Sequence, residues 1–117
     1  MICKSLAGLR RLVLTWQQRL KLEHWIITVR WGTKEEIKLG NLAHMNIYPE
    51  LLRAEILCLK QRDYPDELKP MMDHEADIIH ELLHLHLPDL PPEMGSTYEA
   101  GLNTIAGALL HQRRGED

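Results

Sequence analysis

The sequence predicts an α+β domain with the element order helix, three short strands, helix, helix. Three observations carry that expectation. Apolar residues recur at helical spacing near both ends of the chain, aromatic and β-branched residues fill positions 25–31, and a run of period two covers 53–60. The 117 residues fit one domain, 1–117, with a single modest core. The chain has no Phe, so Leu, Ile, Trp and Met must fill that core.

The first helix is expected from Ser5 to about Leu22. Leu6, Leu9, Leu12, Val13, Trp16 and Leu20 mark its apolar side, Arg10, Arg11, Gln17, Gln18 and Lys21 its polar side, and Ser5 is the N-cap. Trp25 to Trp31 reads as a strand, Gly40 to Ile47 as a weaker one, and Arg53 to Lys60 as a third. Short links between successive strands favour antiparallel pairing, because a parallel crossover takes a dozen or more residues. A polar stretch containing Pro65 follows. From about Pro70 to Leu87 the pattern is helical: Pro70 suits a first helical position, and Pro88 stops the continuation. Residues 88–95 form a Pro-rich loop, and a last helix runs from about Thr97 to Arg113.

Charge narrows the classes of partner. The net charge of −3 argues against a nucleic-acid partner for the molecule as a whole. Residues 1–38 hold eight Lys/Arg against three Asp/Glu, and residues 39–117 hold six against fourteen. The acidic part contains most of the histidines, a combination that favours a cation. Cys3 and Cys58 form neither a disulfide framework nor a Cys-x-x-Cys knuckle, so reduced thiols are expected. The first residues lack a signal-type apolar segment, and no run approaches the roughly 20 apolar residues of a membrane helix. The expected setting is cytoplasmic, with no membrane contact. Oligomeric state is not written in the sequence.

The informative segment is His80-Glu81-Leu82-Leu83-His84. On an α-helix, positions i and i+4 lie about 40° apart around the axis and about 6 Å apart along it. Two imidazoles so placed can share one Zn2+. Glu81 stands about 100° from His80, beside the metal rather than on it. There it can act as general base towards a metal-activated water and return the proton to a leaving amine. His80 and His84 are therefore the expected ligands and Glu81 the expected catalytic residue. The flanking Ile78, Ile79, Leu82, Leu83 and Leu85 point to a buried helix, where unpaired histidines would be costly.

A third ligand is needed. His86 projects about 200° from His84 on a continuing helix and is set aside. Asp89 and Glu93 in the loop remain open. Glu99 is preferred, because it shares a face with Leu102 and Ala106 in the first turn of the last helix. Ser96-Thr97-Tyr98-Glu99 also matches a capping box, in which Glu99 would only satisfy an N–H group. Asn103, one turn after Glu99, could orient His80 or Glu99, and Asp73 or Asp77 could accept a hydrogen bond from a ligating histidine. His74, His24 and His111 read as surface residues. For stabilising an oxyanion the candidates are His44, Tyr48 and Tyr64.

These features together resemble the small gluzincin-like zinc metallopeptidases, many of them encoded by phages and prophages and reduced to little beyond a catalytic core. The likeness covers about Leu20 to Leu110. It rests on His80, Glu81, His84 and the helix start Glu99-Ala100-Gly101-Leu102-Asn103. It implies a zincin-like core: an N-terminal helix, a three-stranded, mainly antiparallel twisted sheet, the metal helix packed on it, and a C-terminal helix carrying the third ligand. It also implies a peptide or protein substrate aligned on an edge strand. His80-x-x-x-His84-x-x-x-x-Asp89 is similar to the motif of a bacterial ribosomal-RNA maturation endonuclease family, but Leu90 stands where that family has its third histidine.

Two other functions compete with a zinc peptidase. One is a zinc-binding regulatory module that docks a partner through its basic first helix without turnover. The other is a structural zinc closed by His80, His84, Glu99 and either Asp89 or Glu93.

Overall fold

Ser5 caps the first helix as expected, its Oγ accepting the Gly8 N–H at 3.1 Å. Helix α1 spans Leu6–Arg19 and buries Leu9, Leu12, Val13 and Trp16. It ends in a Schellman turn: the Leu22 N–H returns to Gln17 O at 2.8 Å and the Lys21 N–H to Gln18 O at 3.2 Å. Lys21 takes the left-handed conformation, φ 60°, that this turn demands. The structure, a computed structural model, describes residues 1–37, 41–87 and 95–116.

Three strands follow, β1 (Ile26–Gly32), β2 (Ala43–Tyr48) and β3 (Arg53–Leu59). Their spatial order is β1-β3-β2, with β3 parallel to β1 and antiparallel to β2. The sheet is therefore mixed, which corrects the mainly antiparallel expectation. That expectation paired the strands in chain order. Here β3 enters between the other two, and the path from β1 to β3 runs through β2 itself, long enough for a parallel crossover. The proposed start of the second strand at Gly40 lies outside the described residues.

Register and alternation sort the side chains. Val29, Ile56, Cys58 and Met45 share the face that packs on α1 and on the next helix, forming one core with Leu9, Trp16, Ile78, Ile79 and Leu82. Leu57 and Leu59 point to the other face, where Ile37, Tyr64 and Met72 cover them. Gly32 permits that cover: a Cβ there would lie 2.8 Å from Ile37 Cδ1.

The expected helix from Pro70 to Leu87 is shorter. Residues Asp66–Met71 form a 3-10 turn, and helix α2 spans His74–Leu83. Asp73 is its N-cap, accepting the N–H groups of Glu75 and Ala76. Beyond Leu83 the chain tightens, with His84 N–H bonding Glu81 O and His86 N–H bonding Leu83 O. Helix α3 spans Gly95–Gly115, longer at both ends than expected. It buries Leu102, Ala106 and Leu110 in the main core and packs against α2. The start of α2 meets the end of α3 through Asp73–Arg114 and Glu75–Arg113 pairs. Its end meets the beginning of α3.

Candidate metal centre

His80 sits on the last turn of α2 and His84 immediately beyond it, their rings 5.2 Å apart between centroids. Helix spacing brings the two rings together. What they face is supplied by α3: Glu99 Oε2 lies 2.7 Å from His80 Nε2, and Glu99 Oε1 lies 3.5 Å from His84 Nε2. Glu81 offers a carboxylate oxygen within 4.8 Å of donor atoms on both histidines. The imidazoles are mostly covered, while the Glu99 side chain is about half open at 48%. The group is therefore reached from one side.

The far nitrogens of both rings are engaged. His80 Nδ1–H donates to Asn103 Oδ1 at 2.7 Å. His84 Nδ1–H donates to the Tyr98 hydroxyl at 3.1 Å, and that hydroxyl donates onward to Leu87 O. These bonds fix each tautomer, since a Tyr oxygen whose hydrogen is spent must accept, and an amide oxygen can only accept. With Nδ1 donating, each Nε2 faces the carboxylate of Glu99 and carries a lone pair wherever the ring is neutral. Without an ion, a proton on His80 Nε2 makes the 2.7 Å contact an ordinary hydrogen bond to Glu99; with both rings neutral, the two nitrogens and the carboxylate are all acceptors. They are complementary to a cation.

The donor set suits zinc. Ligands at 2.0–2.1 Å in a tetrahedron stand roughly 3.3 Å from one another, near the 3.5 Å from His84 Nε2 to Glu99 and wider than the 2.7 Å hydrogen-bond contact of His80 Nε2. Asn103 and Tyr98 hold the two rings by the nitrogen that would not bind metal, the usual support for ligating histidines.

The surrounding residues correct several expectations. Neither Asp73 nor Asp77 supports a ligand: Asp73 caps α2 and pairs with Arg114, and Asp77 receives the Tyr64 hydroxyl. Tyr64 is buried at 3% exposure and serves Asp77, so it does not reach a substrate. Tyr48 is exposed on β2 and is not among the cleft residues. His44 borders the cleft through its place on β2, but alternation turns its ring to the far face of the sheet, where it bonds Asn46 Oδ1 at 3.0 Å. None of the three oxyanion candidates aims at the group. His74 is fully buried rather than on the surface. Its Nδ1 accepts the Cys3 N–H and its Nε2–H donates to Leu59 O, and burial pushes its pKa down. His86 bonds Leu20 O, away from the group, while His24 and His111 are exposed. Helix α3 begins at Gly95, one residue before Ser96. Asp89 and Glu93 lie outside the described residues.

The sequence reading missed Tyr98. Its signal was its place beside Glu99, which puts both side chains on neighbouring faces of one helical turn. It also missed how the edge strand is presented. The Leu59 N–H bonds Leu42 O, so in antiparallel pairing Leu42, His44 and Asn46 bond to β3. Ala43, Met45 and Ile47 therefore turn their N–H and C=O groups away from β3, and all three line a cleft of about 520 Å3 with His80, Glu81 and His84. Comparison with protein-family models, curated proteins and solved structures found no match.

Proposed function

We propose that the protein is a zinc-dependent peptidase with a compact zincin-like core of the gluzincin type, working in the cytoplasm. The observation that carries this reading is the convergence of two imidazole nitrogens on one carboxylate, that of Glu99, beside a second carboxylate, that of Glu81. His80, His84 and Glu99 hold the metal. Zn2+ bound there supplies Lewis acidity, polarising a carbonyl and making water easy to deprotonate at neutral pH.

The chain's own groups do the rest. Glu81 takes a proton from the attacking water and passes it to the departing amine nitrogen. Asn103 and Tyr98 keep both imidazoles in the ligating tautomer. The outward N–H and C=O groups of Ala43, Met45 and Ile47 can bind an extended peptide as an added strand, which lays its backbone across the His80–Glu81 turn. No helix among the described residues is long and apolar enough to cross a membrane, and the two cysteines are free thiols, as a cytoplasmic setting allows.

Glu81→Gln tests the mechanism. The variant should bind one zinc per chain, and its cleavage of a mixed fluorogenic peptide library should fall by about 10²–10⁴-fold. Full hydrolysis by the variant would refute the role of Glu81. A second reading, a docking module without turnover, draws on Arg10 and Arg11, which are exposed around the 56%-exposed Leu14. Reversing both charges should then abolish partner capture.

A further inference from the structure

The cleft beside the metal group carries one acid that the proposed chemistry does not use. Asp77 sits one helical turn before Glu81 and lines the same cleft as His80, Glu81 and Met45. Its Oδ2 accepts the hydroxyl of buried Tyr64. A hydroxyl that donates marks the carboxylate as an acceptor, and the bond fixes the rotamer of an otherwise half-buried side chain. Among the described residues, no Lys or Arg lines the cleft.

The charges in the cleft decide what this acid is for. With Zn2+ in place, its two positive charges are matched by Glu99 and Glu81. Asp77 is left over, so the loaded cleft keeps one negative charge. In a partly desolvated cleft, a residual charge selects a ligand of opposite sign and rejects one of like sign. The distance from Asp77 to Glu81 is one turn, about 5–6 Å along α2. A Lys or Arg side chain covers that span.

We infer that Asp77 is a specificity-determining residue: it receives the basic side chain of a Lys or Arg flanking the scissile bond of the substrate peptide. This inference rests on the peptidase reading and names its substrate class. Tyr64 is the positioning residue, anchoring one oxygen of the Asp77 carboxylate.

The test uses zinc-loaded full-length protein and three fluorogenic peptides identical except for Arg, Leu or Glu on either side of the cleaved bond. The Arg peptide should be favoured over the Leu peptide by on the order of tenfold in kcat/KM, with the Glu peptide worst. In Asp77→Asn, which keeps an acceptor for Tyr64, the Arg-to-Leu ratio should fall to about one. Tyr64→Phe keeps the charge and should keep the order of preference, even where it lowers stability. An unchanged ratio in Asp77→Asn, or a wild type indifferent to charge, overturns the inference. A binding arm separates this failure from that of the peptidase reading. If no peptide is cleaved, that reading fails. Affinity for the Arg and Leu peptides, measured by fluorescence anisotropy on the zinc-loaded protein, then decides the role of Asp77 by the same ratio, with a ratio near one in the wild type counting against it.

Discussion

Helices α2 and α3 meet at two charged clusters, one at each end of their contact, and the two are built on opposite principles. At the end formed by the start of α2 and the end of α3, Glu75 is fully buried, takes the Trp16 indole N–H at 2.6 Å, and pairs with Arg113 at 3.3 Å. Arg114 bridges Asp73 and approaches the second Glu75 oxygen at 3.6 Å. Donors there meet acceptors, and among the described residues the only acceptor of the cluster left without a hydrogen bond is Glu75 Oε1, with Arg114 at 3.6 Å. At the other end, His80 and His84 turn their Nε2 atoms towards the Glu99 carboxylate beside an open cleft. A closed cluster holds two helices in place. An open one leaves its polar groups within reach of the cleft. The same pair of helices thus holds a clamp at one end and the candidate site at the other.

The largest expected effect tests the clamp. Glu75→Ala strands the buried Trp16 N–H and frees two arginines; because these reach solvent, the loss should be about 3 kcal/mol, at the low end for a broken buried pair. Chemical denaturation measures it, and the folded fraction should still bind zinc. A loss below about 0.5 kcal/mol would mean the two helices do not depend on the clamp.

At the open end, Glu99→Ala should weaken zinc binding by more than about a hundredfold, more than loss of a supporting residue costs, with little change in the metal-free protein's stability. Competition against a chromogenic chelator gives the affinity. If it is unchanged, the third ligand is not Glu99.

Tyr98→Phe and Asn103→Ala should each weaken zinc about tenfold, because they release a ring tautomer rather than remove a ligand. Equal losses for Glu99→Ala and these two would erase the distinction between ligand and support.

The smallest effect is a pH slope. Burial pushes the Asp77 carboxyl up from its ordinary 3.8 to about 6. Between those values the folded protein keeps a proton that the unfolded chain has released, so this group's contribution to stability is present at low pH and declines as pH rises towards 6. Asp77→Asn has no such proton to lose. In metal-free protein the wild type should therefore lose stability relative to the variant between pH 4 and 6, as read from urea midpoints. A constant difference across that range would contradict the shift.

Several features were legible locally. Ser5 as a cap and the shared face of His80 and His84 depend on residues within a turn of one another, where spacing and backbone geometry suffice. Other features required a partner from far along the chain. His74 resembles a surface histidine until Leu59 O and the Cys3 N–H satisfy its ring. Nothing local marks Tyr64 as the partner of Asp77, or Tyr98 as the support of His84. The parallel β1–β3 pair escaped because strand neighbours need not be chain neighbours.

The sequence alone determined that two imidazoles and a carboxylate occupy one helical turn, because helix periodicity is set by the backbone and holds wherever the helix lies. Only the tertiary structure decided which acid meets them, which tautomers they hold and which strand edge borders them. Those relations depend on how α3 and β2 pack against α2, and packing is settled by the burial of apolar faces spread over the whole chain.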